Sequence, residues 1–170
     1  MLAKLELGGL VTMTEEIPTK VHFDLPNHWA TGGESCWAED LGSNLYQIRN
    51  VLFYAYGVNF LDVVRATPDD VDLKPEVREI VKSSGHRTLR VYFNATVSNA
   101  EQRRMLNELK PFKATYERGT DTHVAIDIET TGDYGEVCDQ LYEWENENLL
   151  SYETCEARAI GSFDDNLDAG

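Results

Sequence analysis

The apolar residues of this chain follow two different spacings, one before residue 86 and one after it. In the first part, short segments alternate polar and apolar residues, and Gly, Pro, Ser or Asp residues separate the segments. Residues 19–25 are typical, because three apolar side chains alternate with polar ones and Pro26 follows. This period of two predicts half-buried strands joined by tight turns.

The strands predicted in this part are 19–25, 34–41, 44–51, 61–66 and 76–83. Gly42-Ser43 lies between the second and third of them and predicts a hairpin turn. A series of short strands leaves unpaired edges, and closing the sheet on itself removes those edges. We therefore expect a small β-barrel over residues 15–84.

After residue 86, predicted strands alternate with predicted helices. Ser98 followed by Glu101, and Asp133 followed by Glu136, are capping-box patterns that mark the start of a helix. Apolar residues three and four positions apart follow each pattern, as in an amphipathic helix. The predicted strands are 87–93, 112–117, 123–129 and 150–155.

The resulting order, β-α-β-β-α-β, predicts a ferredoxin-like domain over residues 86–158. The chain is thus expected to have an α+β fold, with the small N-terminal β-barrel followed by this domain. Residues 159–170 contain three Asp residues and no Lys or Arg, and we expect them to form a frayed acidic tail.

The charge is divided unevenly between the two parts. Residues 117–170 contain 15 Asp and Glu residues but only Arg118 and Arg158, so −13 of the net charge of −15 lies in the last third of the chain. Such a field repels nucleic acid and anionic membranes, and it attracts basic proteins. The charge argues against nucleic-acid or membrane binding and favours a basic protein partner.

The sequence predicts no membrane span and no signal peptide. The longest uncharged apolar stretch, residues 50–61, is too short and too polar to cross a bilayer. Residues 1–14 lack the apolar run and the cleavage site of a secretory signal, so we expect none there. The three cysteines have no short spacing and are expected to be buried free thiols, as in a cytoplasmic protein: Cys36, Cys138 and Cys155.

The second predicted helix carries a row of acidic residues. Four of them are spaced three and four positions apart and so share one side of the helix: Glu136, Asp139, Glu143 and Glu147. This side is either a solvated outer surface or a docking face for a basic partner, and both interpretations stay open. In the second interpretation, Asp133 at the helix start and Trp144 also contact the partner.

The predicted strand before that helix places Asp127 and Glu129 on one side. These two carboxylates either extend the docking face or form a pair for acid–base chemistry. We include both residues among the predicted partner-binding residues.

Motifs for catalysis or for metal binding are missing from the sequence. His22, His28, His86 and His123 stand in no zinc-binding or protease motif. The sequence contains neither a nucleophile elbow nor a phosphate-binding loop. We expect no catalytic residue, no metal and no cofactor; a hydrolase that uses His86 or Asp127 is the enzymatic alternative.

Aromatic residues concentrate in the first part of the chain: Trp29, Trp37, Phe53, Tyr54, Tyr56 and Phe60. Tyr and Trp are frequent anchors of binding surfaces. The group either lines a pocket or interface, or packs the core and rim of the barrel.

Several segments carry a family pattern. Residues 34–66 contain W-A-E-x-L-G, then L-Y-x-I-R-N-V-x-F-x-A-Y-G-V, then D-V-V-R-A. The later matching segments are SGHRTLRV at 84–91 and VAIDI at 124–128, followed by Tyr134 and Leu141. In these segments the chain resembles a bacterial family of unknown function, the DUF4265-like proteins, over residues 19–156. The motif positions of most interest are Asn50, Gly57, Asp62, Gly85 and His86.

The resemblance implies no activity, but it makes a role as the immunity partner of a secreted toxin plausible. We expect a non-enzymatic, cytoplasmic, acidic binding protein, an immunity protein or antitoxin that occludes the basic active-site surface of a bacterial toxin. The alternative is a small-molecule-sensing regulatory module, which rests on analogy with other ferredoxin-like domains.

Overall fold

The computed structural model describes residues 18–165 in full and the backbone alone for residues 2–7 and 10–15. The expectation of no signal peptide, which concerns residues 1–14, and the end of the predicted tail, residues 166–170, lie outside the fully described residues. The backbone of β1 (Leu2–Leu7) pairs with that of β2 (Leu10–Glu15) in an antiparallel hairpin, which the sequence pattern did not predict.

Five strands then close into the predicted barrel. They are β3 (Thr19–Asp24), β4 (Gly33–Gly42), β5 (Leu45–Ile48), β6 (Val63–Thr67) and β7 (Glu76–Lys82). Successive strands pair antiparallel, and β7 closes the sheet through a parallel contact with β3. Alternate apolar residues fill the interior, as the period of two requires.

The hairpin turn between β4 and β5 lies one position later than predicted. Its two loop residues are Ser43 and Asn44, with φ values of 57° and 62°. Two successive residues with positive φ make a type I′ turn, whose twist matches that of the flanking strands.

The second part of the chain forms a four-stranded antiparallel sheet with helices on one face. Its strands are β8 (Arg87–Phe93), β9 (Ala114–Arg118), β10 (His123–Ile128) and β11 (Leu150–Thr154), in the spatial order β11-β8-β10-β9. The helices are α1 (Asn99–Asn107), a short 3-10 turn (Lys110–Phe112) and α2 (Tyr134–Asn146). The fold is therefore mixed α+β, with one core inside the barrel and a second between the sheet and its helices.

Both predicted helix starts are confirmed. The side chain of Ser98 accepts a hydrogen bond from the backbone N–H of Glu101 at 3.2 Å, and that of Asp133 accepts one from Glu136 at 3.1 Å. Each bond satisfies one of the backbone donors that a helix leaves free at its N-terminus.

The other face of the sheet packs against the barrel. All six residues of β10 are buried, which requires cover on both faces of the sheet. The segment between β5 and β6, residues 49–62, provides part of this cover. Arg90 donates hydrogen bonds to the carbonyls of Leu52 and Ala55, and Thr88 donates one to the Asn59 side chain at 2.9 Å. The barrel and the sheet thus share a buried junction.

Residues 159–165, here called the C-terminal strap, pack on the barrel. The Phe163 ring lies edge-to-face on Phe23, with centroids 5.1 Å apart, and its carbonyl accepts the N–H of Tyr56 at 2.9 Å. Buried Asp164 accepts the N–H of Asn27. The prediction of a frayed tail is therefore wrong for these residues, because an apolar ring and a buried carboxylate hold them in place.

Within the described residues, no helix has the length and apolar character needed to cross a membrane.

Candidate functional site

The eight residues predicted to bind a partner are divided by the structure into an exposed set and a buried set. Six are exposed: Glu129, Asp133, Glu136, Asp139, Glu143 and Glu147. Asp127 and Trp144 are buried, so the prediction that they contact a partner is wrong. Asp127 lies in the junction between sheet and barrel, and Trp144 lies under α2 in one core with Val137 and Leu141.

The four acids in a row on α2, here called the acidic face, are Glu136, Asp139, Glu143 and Glu147. In the part of the chain with described side chains, none of these carboxylates forms an ion pair. The contrast with α1 is direct, because Arg104 pairs there with both Glu101 and Glu108. The acidic face therefore carries a negative charge that no basic side chain of residues 18–165 pairs with.

An exposed aromatic residue accompanies the acidic face. Tyr142 is 57% exposed and lies three positions after Asp139, next to Glu143. The sequence analysis missed this residue, although its position outside the apolar row of α2 was a usable signal. Tyr142 takes the place of Trp144 as the candidate aromatic anchor.

Besides buried Asp127, three acids of the last third form contacts inside the protein and add little to its external field. Glu153 pairs with Arg90 and with Arg158, at 3.1 and 3.0 Å. Asp164 and Asp165 hold the backbone of residues 27–29 through hydrogen bonds. The net charge of this region therefore overstates what a partner meets.

His86 and Asp127, the two residues of the enzymatic alternative, lie together. His86 Nδ1 is 2.9 Å from both carboxylate oxygens of Asp127. Because a carboxylate only accepts hydrogen bonds, Nδ1 carries a proton in this pair. Burial raises the pKa of Asp127, and the hydrogen bond from His86 opposes that rise.

His86 borders a cleft of about 280 Å³ that Gln47, Lys82 and Ser84 also line, and Asp127 lies behind it, outside the lining. A histidine oriented by a buried carboxylate is the arrangement of a general base. However, the Ser84 hydroxyl donates to the Phe60 carbonyl at 2.6 Å, so it is engaged elsewhere. Burial raises the pKa of Cys36, Cys138 and Cys155, which makes these free thiols poor nucleophiles. The pair thus has a base but no activated nucleophile beside it among the described residues.

A second group of side chains meets where the barrel and the sheet join. It is here called the junction cluster, and its members are His28, Trp29, Tyr54, Tyr56, Arg90, Tyr92, His123 and Glu153. They come from the loop after β3, from residues 49–62, and from strands β8, β10 and β11. The sequence analysis named three of its aromatic residues but did not predict that the sheet would supply the rest.

Five rings of the junction cluster form a closed cycle of contacts. The successive centroid distances are 5.4 Å from His28 to Trp29, 6.0 Å to Tyr92, 4.3 Å to His123, 5.5 Å to Tyr54 and 5.5 Å back to His28. Trp29 is 63% exposed, so the cycle reaches the surface on that side. The aromatic group therefore lines an interface between the two parts as well as the rim of the barrel.

A buried charge network lies beside these rings. The fully buried guanidinium of Arg90 pairs with Glu153 and lies 4.7 Å from the centre of the Tyr56 ring. The Tyr56 hydroxyl donates to the other oxygen of Glu153 at 3.0 Å. Burial lowers the pKa of His123, and the nearby Arg90 lowers it further, so this ring is neutral at pH 7.

Three buried side-chain nitrogens in the described part of the chain have no hydrogen-bond partner, and all three belong to the junction cluster: His28 Nε2, His123 Nε2 and Arg90 Nη2. Buried polar atoms are satisfied in the great majority of cases, so three unsatisfied atoms in one cluster require an explanation.

The motif positions singled out in the sequence have structural roles around this junction. The Asp62 side chain accepts the N–H groups of Asn59 and Ser84, at 2.8 and 2.7 Å. Asn50 accepts the N–H of Trp37. Gly57 has a φ of 78°, and a Cβ there would lie 2.8 Å from that of Ala157. The family pattern therefore includes residues that join the barrel to the sheet and to the segment after β11.

Metal binding has no support in residues 18–165, where no group of three or more His, Cys, Asp or Glu side chains could hold an ion.

Comparisons with known proteins agree with the resemblance seen in the sequence. A solved structure described as a hypothetical protein from Neisseria gonorrhoeae matches 84% of this chain and 97% of its own, with a TM-score of 0.69 and 14% identity. At that identity the likeness shows the fold alone. A search of curated proteins found no match. The family model described as a domain of unknown function, DUF4265, matches residues 34–152, and the chain therefore belongs to the DUF4265 family.

Proposed function

We propose that this chain is a non-enzymatic binding protein whose acidic face docks a basic protein partner. The proposed role is that of a cytoplasmic immunity protein or antitoxin, which occludes the basic active-site surface of a bacterial toxin. The observation that carries the proposal is a row of four exposed carboxylates that pair with no basic side chain of residues 18–165.

The acidic face costs stability in the free protein. Like charges at these helical spacings destabilise an isolated helix by about 0.2–0.5 kcal/mol per pair. Glu147 caps the C-terminal end of α2, where the helix dipole also disfavours an acid. A basic partner would offset both costs, whereas no contact within the described residues does so.

Charge and anchoring would have separate effects on binding. The acidic face would speed association with a basic surface, because long-range attraction acts mainly on the association rate. Tyr142 would bury an aromatic ring at the centre of the contact and slow dissociation.

The proposal extends to the finer fold class of the second part. We infer that residues 86–158 form a ferredoxin-like domain. The support is the antiparallel strand order β11-β8-β10-β9 with α1 and α2 as the crossovers, which is the order of a split β-α-β arrangement.

The experiment reverses charge on the acidic face and compares it with an equal change elsewhere. Asp139→Lys with Glu143→Lys is the test variant; Asp70→Lys with Asp72→Lys, on the exposed loop after β6, is the control. The protein captured from the native cell with the wild-type chain is purified, and its affinity for each variant is measured at low and at physiological salt. We expect the test variant to bind at least about tenfold more weakly and with less salt dependence.

Two results would contradict the proposal. Unchanged affinity of the test variant, or an equal loss in the control, would show that the acidic face does not dock the partner. A captured partner without toxic activity would exclude the immunity role while leaving the docking face intact.

A second candidate function is a small-molecule-sensing regulatory module. The cleft of about 280 Å³ that Gln47, Lys82 and His86 line favours it, because a small ligand needs a concave space with a few polar groups.

A further inference from the structure

The cleft beside His86, here called the His86 cleft, lies on the outer side of barrel strands β5, β6 and β7. In the register of these strands, Val63 of β6 lies opposite Gln47 of β5 and opposite Lys82 of β7. The three side chains therefore form one row across the strands, with neighbours about 5 Å apart. The row faces outward, because the next residue, Val64, belongs to the barrel core. His86, four positions after the end of β7, closes one end of the cleft.

The turn that carries His86 is held by hydrogen bonds from side chains to its backbone. The Asp62 carboxylate accepts the N–H of Ser84 at 2.7 Å, and the Ser84 hydroxyl accepts the N–H of His86 at 3.1 Å. Asp62, Gly85 and His86 are three of the five motif positions of the family pattern, and all three belong to this turn or contact it. The protein alone therefore positions His86, as a preorganised binding site requires.

His86 has one nitrogen bonded inside the protein and one that faces the cleft. Nδ1 donates to Asp127 at 2.9 Å. Nε2 has no hydrogen-bond partner in residues 18–165, and it is not one of the three buried unpartnered nitrogens. The His86 side chain is 14% exposed and lines the cleft, so a ligand atom can reach Nε2 there. This access distinguishes the His86 cleft from the junction cluster, whose unpartnered nitrogens are shielded from solvent.

The lining of the His86 cleft is basic, although the chain as a whole is acidic. The chain contains 30 Asp and Glu residues, but none of them is among the described residues that line this cleft. Lys82 supplies a positive charge, and its ammonium group forms no ion pair within residues 18–165. Asp62 and Asp127 lie behind the lining, where backbone N–H groups and His86 engage them. The cleft therefore favours an anion.

The two nitrogens that face the cleft narrow the chemistry of this anion. A lysine ammonium is a frequent phosphate binder. Histidine Nε2 accepts a hydrogen bond in the neutral ring and donates one when the ring is protonated. A phosphate monoester suits both states, because the pKa of its second proton is about 6, so it can donate or accept near neutral pH. A carboxylate or a sulfate ester carries no proton at that pH and only accepts.

The size and the apolar part of the cleft indicate a small organic ester. A volume of about 280 Å³ lies at the lower end of the range for small-molecule sites. Leu61 and Val63 contribute apolar side chains to the lining, which a free phosphate ion would leave without a contact.

We propose that the His86 cleft binds a small phosphate monoester, whose phosphate oxygens contact Lys82 Nζ and His86 Nε2 and whose carbon chain lies on Val63. The proposal rests on the second candidate function and is independent of the acidic face. Asp127 acts as a positioning residue, because its hydrogen bond fixes the ring with Nε2 toward the cleft.

The test titrates butyl phosphate into the full chain in a phosphate-free buffer and measures the heat of binding. Butyl sulfate is the matched control, because it has the same shape but carries no proton for Nε2 and only a single charge. We expect saturable binding of butyl phosphate that is at least about tenfold tighter than that of butyl sulfate, since a hydrogen bond to a charged group accounts for that factor. Inorganic phosphate, which lacks the carbon chain, should bind more weakly than the ester.

Three variants locate the site. Lys82→Met removes the charge of an exposed residue and should leave the fold intact. His86→Asn keeps a donor at the δ position for Asp127 and removes Nε2. Lys74→Met is the control, since it changes an exposed lysine before the start of β7, outside the lining of the cleft. Each of the first two variants should bind butyl phosphate about tenfold more weakly, and Lys74→Met should bind it as the wild type does.

Absence of saturable butyl phosphate binding, equal binding of butyl sulfate or of inorganic phosphate, or full affinity in Lys82→Met would each overturn the proposal. Melting temperatures separate this failure from failure of the second candidate function. A rise with butanoate but not with butyl phosphate, lost in Lys82→Met, would overturn the phosphate ligand and leave a small-molecule site in place. None of these results depends on whether the acidic face docks a protein.

Discussion

Arg90 and Arg158 share one carboxylate partner and one aromatic ring but differ in burial. Both pair with Glu153, at 3.1 and 3.0 Å, and both lie over the Tyr56 ring, at 4.7 and 4.1 Å from its centre. The Arg90 side chain is fully buried, whereas that of Arg158 is 41% exposed. Replacing each with Met removes the charge and keeps much of the apolar stem.

The structure predicts unequal costs for the two substitutions. Arg90→Met leaves a partly buried carboxylate with one partner fewer and removes the donor from the carbonyls of Leu52 and Ala55. Loss of one member of a buried pair costs about 3–5 kcal/mol of unfolding free energy. Arg158→Met breaks ion pairs that solvent screens, which contribute about 0–1 kcal/mol.

Urea denaturation followed by circular dichroism measures both costs on the same scale. We expect Arg90→Met to lower the denaturation midpoint strongly and Arg158→Met to change it little. Equal costs, or a cost below about 1 kcal/mol for Arg90→Met, would refute the view that burial makes the Arg90 network a structural link between barrel and sheet.

Two further predictions follow from other contacts at the junction. Gly57→Ala should lower the free energy of unfolding more than Gly42→Ala does. Both positions have a positive φ, which costs an alanine about 1 kcal/mol. Of the two, only residue 57 would also bring the new methyl group into overlap with a neighbour, Ala157. Thermal unfolding measures the melting temperature of both variants. Equal decreases in melting temperature would show that the overlap with Ala157 contributes nothing. Burial raises the pKa of Asp127 in the folded protein above the unfolded value of about 3.9. The folded state therefore binds the proton more tightly than the unfolded state does. The free energy of unfolding should be highest below about pH 4 and should fall as the pH rises through the raised pKa. Asp127→Asn should remove that decline in urea titrations between about pH 4 and 6, and an unchanged slope would contradict the assignment.

Local patterns predicted each strand and α-helix between residues 19 and 155, but not the 3-10 turn at Lys110–Phe112, where the predicted strand 112–117 began too early. The alternation of polar and apolar residues predicted the strands of the barrel and of the sheet, and the capping-box patterns predicted both helix starts. These patterns depend only on residues close together in the sequence. The apolar row of α2 also placed Trp144 in the core. The prediction that Trp144 contacts a partner disregarded this pattern. The structure places Trp144 in the core, as the pattern indicated.

Long-range packing accounts for the parts that could not be predicted. A charged residue such as Asp127 indicates a solvent-exposed side of a strand, unless a residue from elsewhere in the sequence pairs with it and buries it. That partner is His86, 41 positions away, and the spacing of residues cannot show such a contact. The junction cluster escaped prediction for the same reason, since its members come from five separate segments that meet only in the folded chain.

The contact between Asp164 and Asn27 spans 137 positions of sequence. A ribosome that makes this protein therefore releases the strands around Phe23 long before Phe163 emerges to cover that ring. We expect the nascent barrel to remain unfinished, with an apolar opening, until nearly all of the described chain has been translated. Chaperones that recognise exposed apolar segments would have their longest opportunity to act during that interval.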